Sequence, residues 1–185
     1  MTVSVLGVAG SPRRGGNSET ILDEVLRGAG DAGATVGKVV LAERDVKPCR
    51  ACNACARSHV CIQSDDMGAI VEKMREAKVW VLATPVYWWG PTAQMKAFID
   101  RWYSVPRDVF KGRRVILAVS SGGGPVYSDL MVKTFEEIFP YLGMEEYRVL
   151  QASGSNSKTS ARGDARLMKE AHSTGLDAVK TLKES

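Results

Sequence analysis

The stretch Thr2-Val3-Ser4-Val5-Leu6-Gly7-Val8-Ala9-Gly10-Ser11-Pro12-Arg13-Arg14-Gly15-Gly16-Asn17-Ser18 decides the fold. Thr2–Ala9 is a short, nearly continuous apolar run of the kind buried on both faces of a parallel sheet. A polar loop with paired glycines follows. From residues 18 to 33, Ile21, Leu22, Val25 and Leu26 recur at helical spacing. Strand, glycine loop and helix in that order open a strand–helix–strand unit.

The same alternation continues outward. Strands are predicted at 34–41, 79–83, 114–119 and 144–151, with helices at 67–77, from Ala93 to near Tyr103, at 127–142 and at 164–184. The expected fold is therefore α/β: a five-stranded parallel sheet in the order 2-1-3-4-5, covered by helices on both faces. The 185 residues suit a single domain with a polar, Cys-rich insert at about 44–66.

In such folds ligands sit beyond the carboxyl ends of the strands, where the strand order reverses. The first loop there is Gly10–Ser18. Gly15 and Gly16 let backbone N–H groups approach an anion, and Asn17 or Ser18 is placed to cap a helix whose amino end favours phosphate. Ser11, Arg13, Asn17 and Ser18 supply donors around a dianion. No Gly-Lys-Ser/Thr follows the glycines, and Gly7, Gly10, Gly15 and Gly16 do not have dinucleotide spacing. The ligand expected is a mononucleotide; the competing reading is an ordinary strand-to-helix turn.

The second loop is Thr84-Pro85-Val86-Tyr87-Trp88-Trp89-Gly90-Pro91-Thr92. Adjacent aromatics are costly to expose and pack against a flat ligand, a partner chain or both. Thr92 is the expected N-cap of the next helix. The third loop, Ser120–Pro125, carries Gly122, Gly123 and Gly124, which allow close backbone approach to a planar ring or simply make a flexible connector.

All four cysteines fall in one run, Cys49, Cys52, Cys55 and Cys61, spaced C-x2-C-x2-C-x5-C. Three thiolates so close together can wrap one face of an iron–sulfur cubane, whereas structural zinc takes two pairs set further apart. His59 is a further candidate ligand. Net charge is +4 with no long basic run, which argues against nucleic acid, and no apolar stretch is long enough to span a bilayer. The chain opens without a signal-peptide pattern, so a cytoplasmic location is expected, where cysteines serve as ligands or redox groups.

GSPRRGGNSETIL and TPVYWWGPTAQMKAFIDRWY resemble the iron–sulfur flavoprotein and NADPH-dependent FMN reductase branch of the flavodoxin-like superfamily, over roughly residues 3–124. The resemblance implies FMN, its phosphate held by Ser11, Arg13, Gly16, Asn17 and Ser18. Pro85, Val86, Tyr87 and Trp88 would line the flavin, with Gly122 and Gly123 nearby. It also implies a [4Fe–4S] cluster on Cys49, Cys52, Cys55 and Cys61, since such flavoproteins carry a compact cysteine motif followed by a segment like Ser64-Asp65-Asp66-Met67. Lys96, Asp100 and Arg101 match the family's helix pattern and are read as structural or interfacial.

No Ser/His/Asp set is present. Asp65-Asp66 and Glu136-Glu137 are read as capping or solvated groups, so no catalytic side chain is assigned and the chemistry belongs to cofactors. The leading expectation is a flavin-dependent oxidoreductase passing electrons between FMN and a cluster, with NAD(P)H as co-substrate or a ferredoxin-type partner, in a homodimer or homotetramer. The alternatives are an NAD(P)H-dependent FMN or quinone reductase without a cluster, and a thiol redox sensor.

Overall fold

The computed structural model describes residues 3–154, 157–158 and 160–184. In chain order it contains β1 (Ser4–Ala9), α1 (Asn17–Asp31), β2 (Thr35–Val40), a 3-10 turn at Leu41–Glu43, α2 (Cys55–Ser58), α3 (Met67–Glu76) and β3 (Val79–Pro85). There follow α4 (Ala93–Asp100), 3-10 turns at Arg101–Ser104 and Arg107–Val109, β4 (Arg114–Ser120), α5 (Val126–Leu142), β5 (Glu146–Ala152), α6 (Ser160–Gly163) and α7 (Ala165–Glu184). The strands form a five-stranded sheet in the order β2-β1-β3-β4-β5, every pairing parallel. That is the expected flavodoxin-like order.

Alternation along each strand divides the core between the two faces of the sheet. Val5, Val81 and Ile116 pack with Ile21, Leu22 and Val25 of α1 and Ala171 and Val179 of α7. Their neighbours Leu6, Trp80 and Leu117 pack with Met74 of α3, Met95 and Phe98 of α4, and Phe135 and Phe139 of α5. Each large apolar side chain so buried contributes about 2 kcal/mol. On the first face α1 and α7 meet backbone to backbone. A Cβ added at Gly28 would lie 2.0 Å from the carbonyl oxygen of His172, and one at Gly175 would lie 2.0 Å from that of Val25.

Three local expectations change. β3 runs two residues beyond Ala83, because Thr84 and Pro85 still pair with Val119 and Ser120. The helix expected to reach Tyr103 tightens into the 3-10 turn at Arg101. The small-residue connector at 152–163 carries the short helix α6. Among the described residues, no helix is long and apolar enough to cross a membrane.

Candidate functional site

The loops after β1, β3 and β4 meet at the carboxyl edge of the sheet, and backbone hydrogen bonds lock them together. Gly10 N–H donates to Ala83 O at 2.7 Å, Val86 N–H to Ser120 O at 2.8 Å, and Ser121 N–H to Ala152 O at 2.9 Å. Thr92 caps α4 as expected, its Oγ1 accepting Met95 N–H at 3.2 Å while its hydroxyl donates to Gly10 O at 2.5 Å. A polar cavity of about 160 Å³ opens between the loops. Of the flavin-site residues expected from the sequence, all but Trp88 and Gly123 line it. Those two line an adjoining apolar cavity of about 220 Å³, which shares Val86, Ser121 and Gly122 with the first. The result is a trough, polar at the glycine loop and aromatic at the far end.

Within the polar end the residues play different parts. Gly16, not Asn17 or Ser18, is the N-cap of α1, with extended backbone. The Asn17 side chain is committed elsewhere: Nδ2 donates to Ser157 O at 2.7 Å and Oδ1 accepts Ala161 N–H at 3.0 Å. It ties the glycine loop to the segment after β5, so only its backbone faces a ligand at the helix amino end. Ser18 is buried and its hydroxyl has no hydrogen-bond partner among the described residues. The Ser11 hydroxyl accepts Arg13 N–H at 3.1 Å, fixing the turn. Arg13 is exposed and has no ion pair among the described residues, whereas Arg14 is held by Glu43 and by Glu19 at 3.0 Å. The cation of Arg13, the hydroxyl of Ser18 and a helix amino end suit a phosphate.

Glu19, buried in the first turn of α1, was not legible as a site residue. It accepts Gly15 N–H at 2.6 Å and binds Lys38 at 2.7 Å. Burial alone would raise its pKa. Lys38, the Gly15 N–H and Arg14 outweigh burial and hold it below the ordinary carboxylate value. A depressed folded pKa contributes stability that is present above the unfolded value of ~4.3 and lost as pH falls through the folded one. Thermal melts between neutral and acid pH should therefore show wild-type stability falling on that acid limb. Glu19→Gln should be less stable at neutral pH and change less with acid. Parallel curves for the two proteins would remove Glu19 as the cause.

At the aromatic end, Tyr87 and Gly90 pair through N–H···O bonds of 2.8 and 3.0 Å, and the residues between them, Trp88 and Trp89, both have positive φ (50° and 59°). This is the signature of a type I′ turn, in which Asn-Gly is the favoured pair. Trp88 is 92% exposed, and Trp89 stacks on Tyr127, ring centroids 6.3 Å apart. Tyr127, at the start of α5, also packs so close to Gly123 that a Cβ there would lie 2.2 Å from its ring. Neither Tyr127 nor Ser120 and Ser121 stood out in the sequence as ligand residues, because each belongs to the site only through the folding of β4 and α5 beside β3.

The cysteine run forms a second cavity, of about 420 Å³, that shares no lining residue with the trough. Cys49, Cys52, Cys55 and Cys61 all line it and none is in a disulfide. Ala51 and Asn53 adopt positive φ, turning the loop sharply between successive cysteines. Among the described residues no three His, Cys, Asp or Glu side chains are grouped to hold a single metal ion. His59 is exposed and lines not this cavity but a neighbouring groove that shares Asp100 and Tyr103 with it.

Arg101 lines the cavity and pairs with Asp65, which does not line it; the two side chains are buried, at 2% and 0% exposure. Arg101 is therefore not interfacial. Asp65 does bond the first N–H of α3, from Met67 at 3.1 Å, but it also receives Lys47 N–H at 3.1 Å and pairs bidentately with Arg101. Burial opposes ionisation of both groups. Arg101 and the two N–H donors nonetheless lower the Asp65 pKa, and Asp65 followed by Cys61 raise that of Arg101. Lys96 and Asp100 form an exposed pair at 2.6 Å.

A family model for NADPH-dependent FMN reductase matches residues 3–160. The chain is 38% identical over 122 residues to an iron–sulfur flavoprotein of Methanosarcina thermophila, covering 66% of this chain and 64% of that one. It is 34% identical over 152 residues to an iron–sulfur flavoprotein of Archaeoglobus fulgidus, covering 82% and 64%. The chain thus spans less than two thirds of the length of these relatives. Among solved structures, an NAD(P)H:quinone oxidoreductase from Methanothermobacter marburgensis superposes with a TM-score of 0.76 at 17% identity, over 96% of both chains. An azoreductase from Bacillus anthracis does so with a TM-score of 0.76 at 15% identity, over 95% of this chain and 100% of that one. These two likenesses speak to the fold, and the match over residues 3–160 speaks to the family: the chain belongs to the NADPH-dependent FMN reductase family.

Proposed function

We propose that this chain is a two-centre redox protein, with FMN in the trough and a [4Fe–4S] cluster on Cys49, Cys52, Cys55 and Cys61. The observation that carries the reading is the pair of separate cavities, one running from a phosphate-suited loop to an aromatic wall, the other lined by all four free cysteines. Bound FMN would supply exchange of one or two electrons, and a cluster exchange of one. The chain's own residues supply position. Arg13, Ser18 and the amino end of α1 hold a phosphate; Val86, Trp88 and Gly122–Gly123 receive a flat ring; the four thiolates hold the cluster. The two iron–sulfur flavoprotein relatives support the pairing.

The proposed donors and acceptors are NAD(P)H and a ferredoxin-type carrier, in the cytoplasm. Exposed Trp88, Tyr103, Leu130 and Tyr141 leave apolar surface that supports a homodimer or homotetramer. An anaerobic reductive titration tests the reading. It should take up about three electron equivalents per chain, against about two for a flavin alone, and the lower value would reduce the protein to a flavin-only reductase.

The strained aromatic turn gives a second test. A bulky residue in the left-handed region costs roughly 1–2 kcal/mol, and such strain persists where function holds it. Replacing Trp88 and Trp89 together by Asn and Gly should raise thermal stability by about 2 kcal/mol and weaken FMN binding by up to about tenfold. A lower Tm in the double variant would mean that the tryptophans are kept for packing instead.

A further inference from the structure

We propose that Arg101 is a positioning residue for the sulfur ligands of the cysteine cavity, closing the neck of the insert and offering the N–H of its partnerless Nε to the ligand set at Cys61. This rests on the cluster reading above.

A guanidinium has five N–H donors and no acceptor. In Arg101, Nη1 donates to Lys47 O at 2.9 Å and to Asp65, and Nη2 donates to Asp65 Oδ1 at 3.2 Å. Nε is buried and has no partner among the described residues. Folds rarely leave a buried donor unpaired, because its lost hydration is not replaced. Arg101 and Cys61 both line the cysteine cavity, and Cys61 is among the groups that raise the Arg101 pKa.

Hydrogen bonds within the chain join the two limbs of the neck around Arg101. Asp45 N–H donates to Asp66 Oδ2 and Asp66 N–H to Asp45 O, both at 2.9 Å, and Gln63 Nε2 donates to Pro48 O at 3.1 Å. Both limbs of the insert are thereby pinned at residues 45–48 and 63–66, with Arg101 at the inner end as the piece reaching both limbs and the cavity. A donor placed there favours the more negative state of a sulfur-ligated cluster, since one-electron reduction adds one negative charge with no proton required.

The test is an anaerobic redox titration with dithionite, following the cluster by electron paramagnetic resonance and the flavin by absorbance in the same sample. Two variants are compared with wild type. Arg101→Lys keeps the charge beside Asp65 and removes Nε. The double variant Arg101→Gln/Asp65→Asn removes the buried pair together, so that no lone buried charge remains. Both should lower the cluster's reduction equilibrium by about tenfold, about 59 mV for one electron, with the flavin midpoint unmoved. Both should also lose iron to a chelator about 10–100-fold more readily.

Variants that keep their iron and show a wild-type cluster midpoint overturn the proposal and leave Arg101 a packing residue. Should Arg101→Lys fail to fold, the double variant decides by the same criterion. Wild-type protein that takes up flavin but no iron overturns both this inference and the two-centre reading. A cluster with an unshifted midpoint in the variants overturns only the inference.

Discussion

Gly28→Ala and Gly30→Ala are expected to change stability in opposite directions, although the two residues share helix α1. A methyl group at Gly28 would meet the main chain of α7, 2.0 Å from His172 O, whereas one at Gly30 would meet nothing within 4 Å. Side chains yield by changing rotamer; two packed helix backbones yield only by moving apart. Gly28→Ala therefore falls at the severe end of overpacking, costing about 3 kcal/mol, or roughly 6–12 °C in Tm for a domain of this size. Gly30→Ala gains about 0.5–1 kcal/mol from the lower backbone freedom of the unfolded chain. Gly175→Ala, whose Cβ would meet Val25 O at 2.0 Å, should match Gly28→Ala. Thermal melts of the three variants check this, and equal effects at Gly28 and Gly30 would refute the close helix contact.

The second large effect is expected at the cysteines. Cys52→Ser takes one thiolate from the wall of a cavity that shares no residue with the flavin trough. Iron content should fall by more than the about 10–100-fold that loss of a mere supporting contact costs, while bound FMN stays at its wild-type level. Iron and flavin are measured on the same anaerobic preparation. Full iron retention would mean that Cys52 is not a ligand. Joint loss of flavin would mean that the insert supports the trough, contrary to the separation of the two cavities.

Much of the frame was legible in the sequence, because strand and helix signals are local. The apolar run ending at Ala9, the helical spacing of Ile21, Leu22 and Val25, and Thr92 as a cap all depend on near neighbours. What stayed hidden depends on partners distant in sequence. Asn17 has the composition of a phosphate ligand, yet its amide is taken by Ser157 and Ala161, brought to it by the return of the chain after β5. Gly28 looks like a flaw in a helix until His172 is set against it. Asp65 reads as a capping group, and it does accept the first N–H of α3, but its pairing with Arg101 joins two segments separated by α3, β3 and α4. The positive φ of Trp88 and Trp89 runs against residue preference and carries no local signal at all.

The most direct measurement is the iron, sulfide and flavin content per chain after anaerobic purification. Two separate centres predict about four irons, about four sulfides and about one FMN. About one FMN without iron, or zinc in place of iron, would contradict the cluster, and protein without flavin would contradict the account at its base.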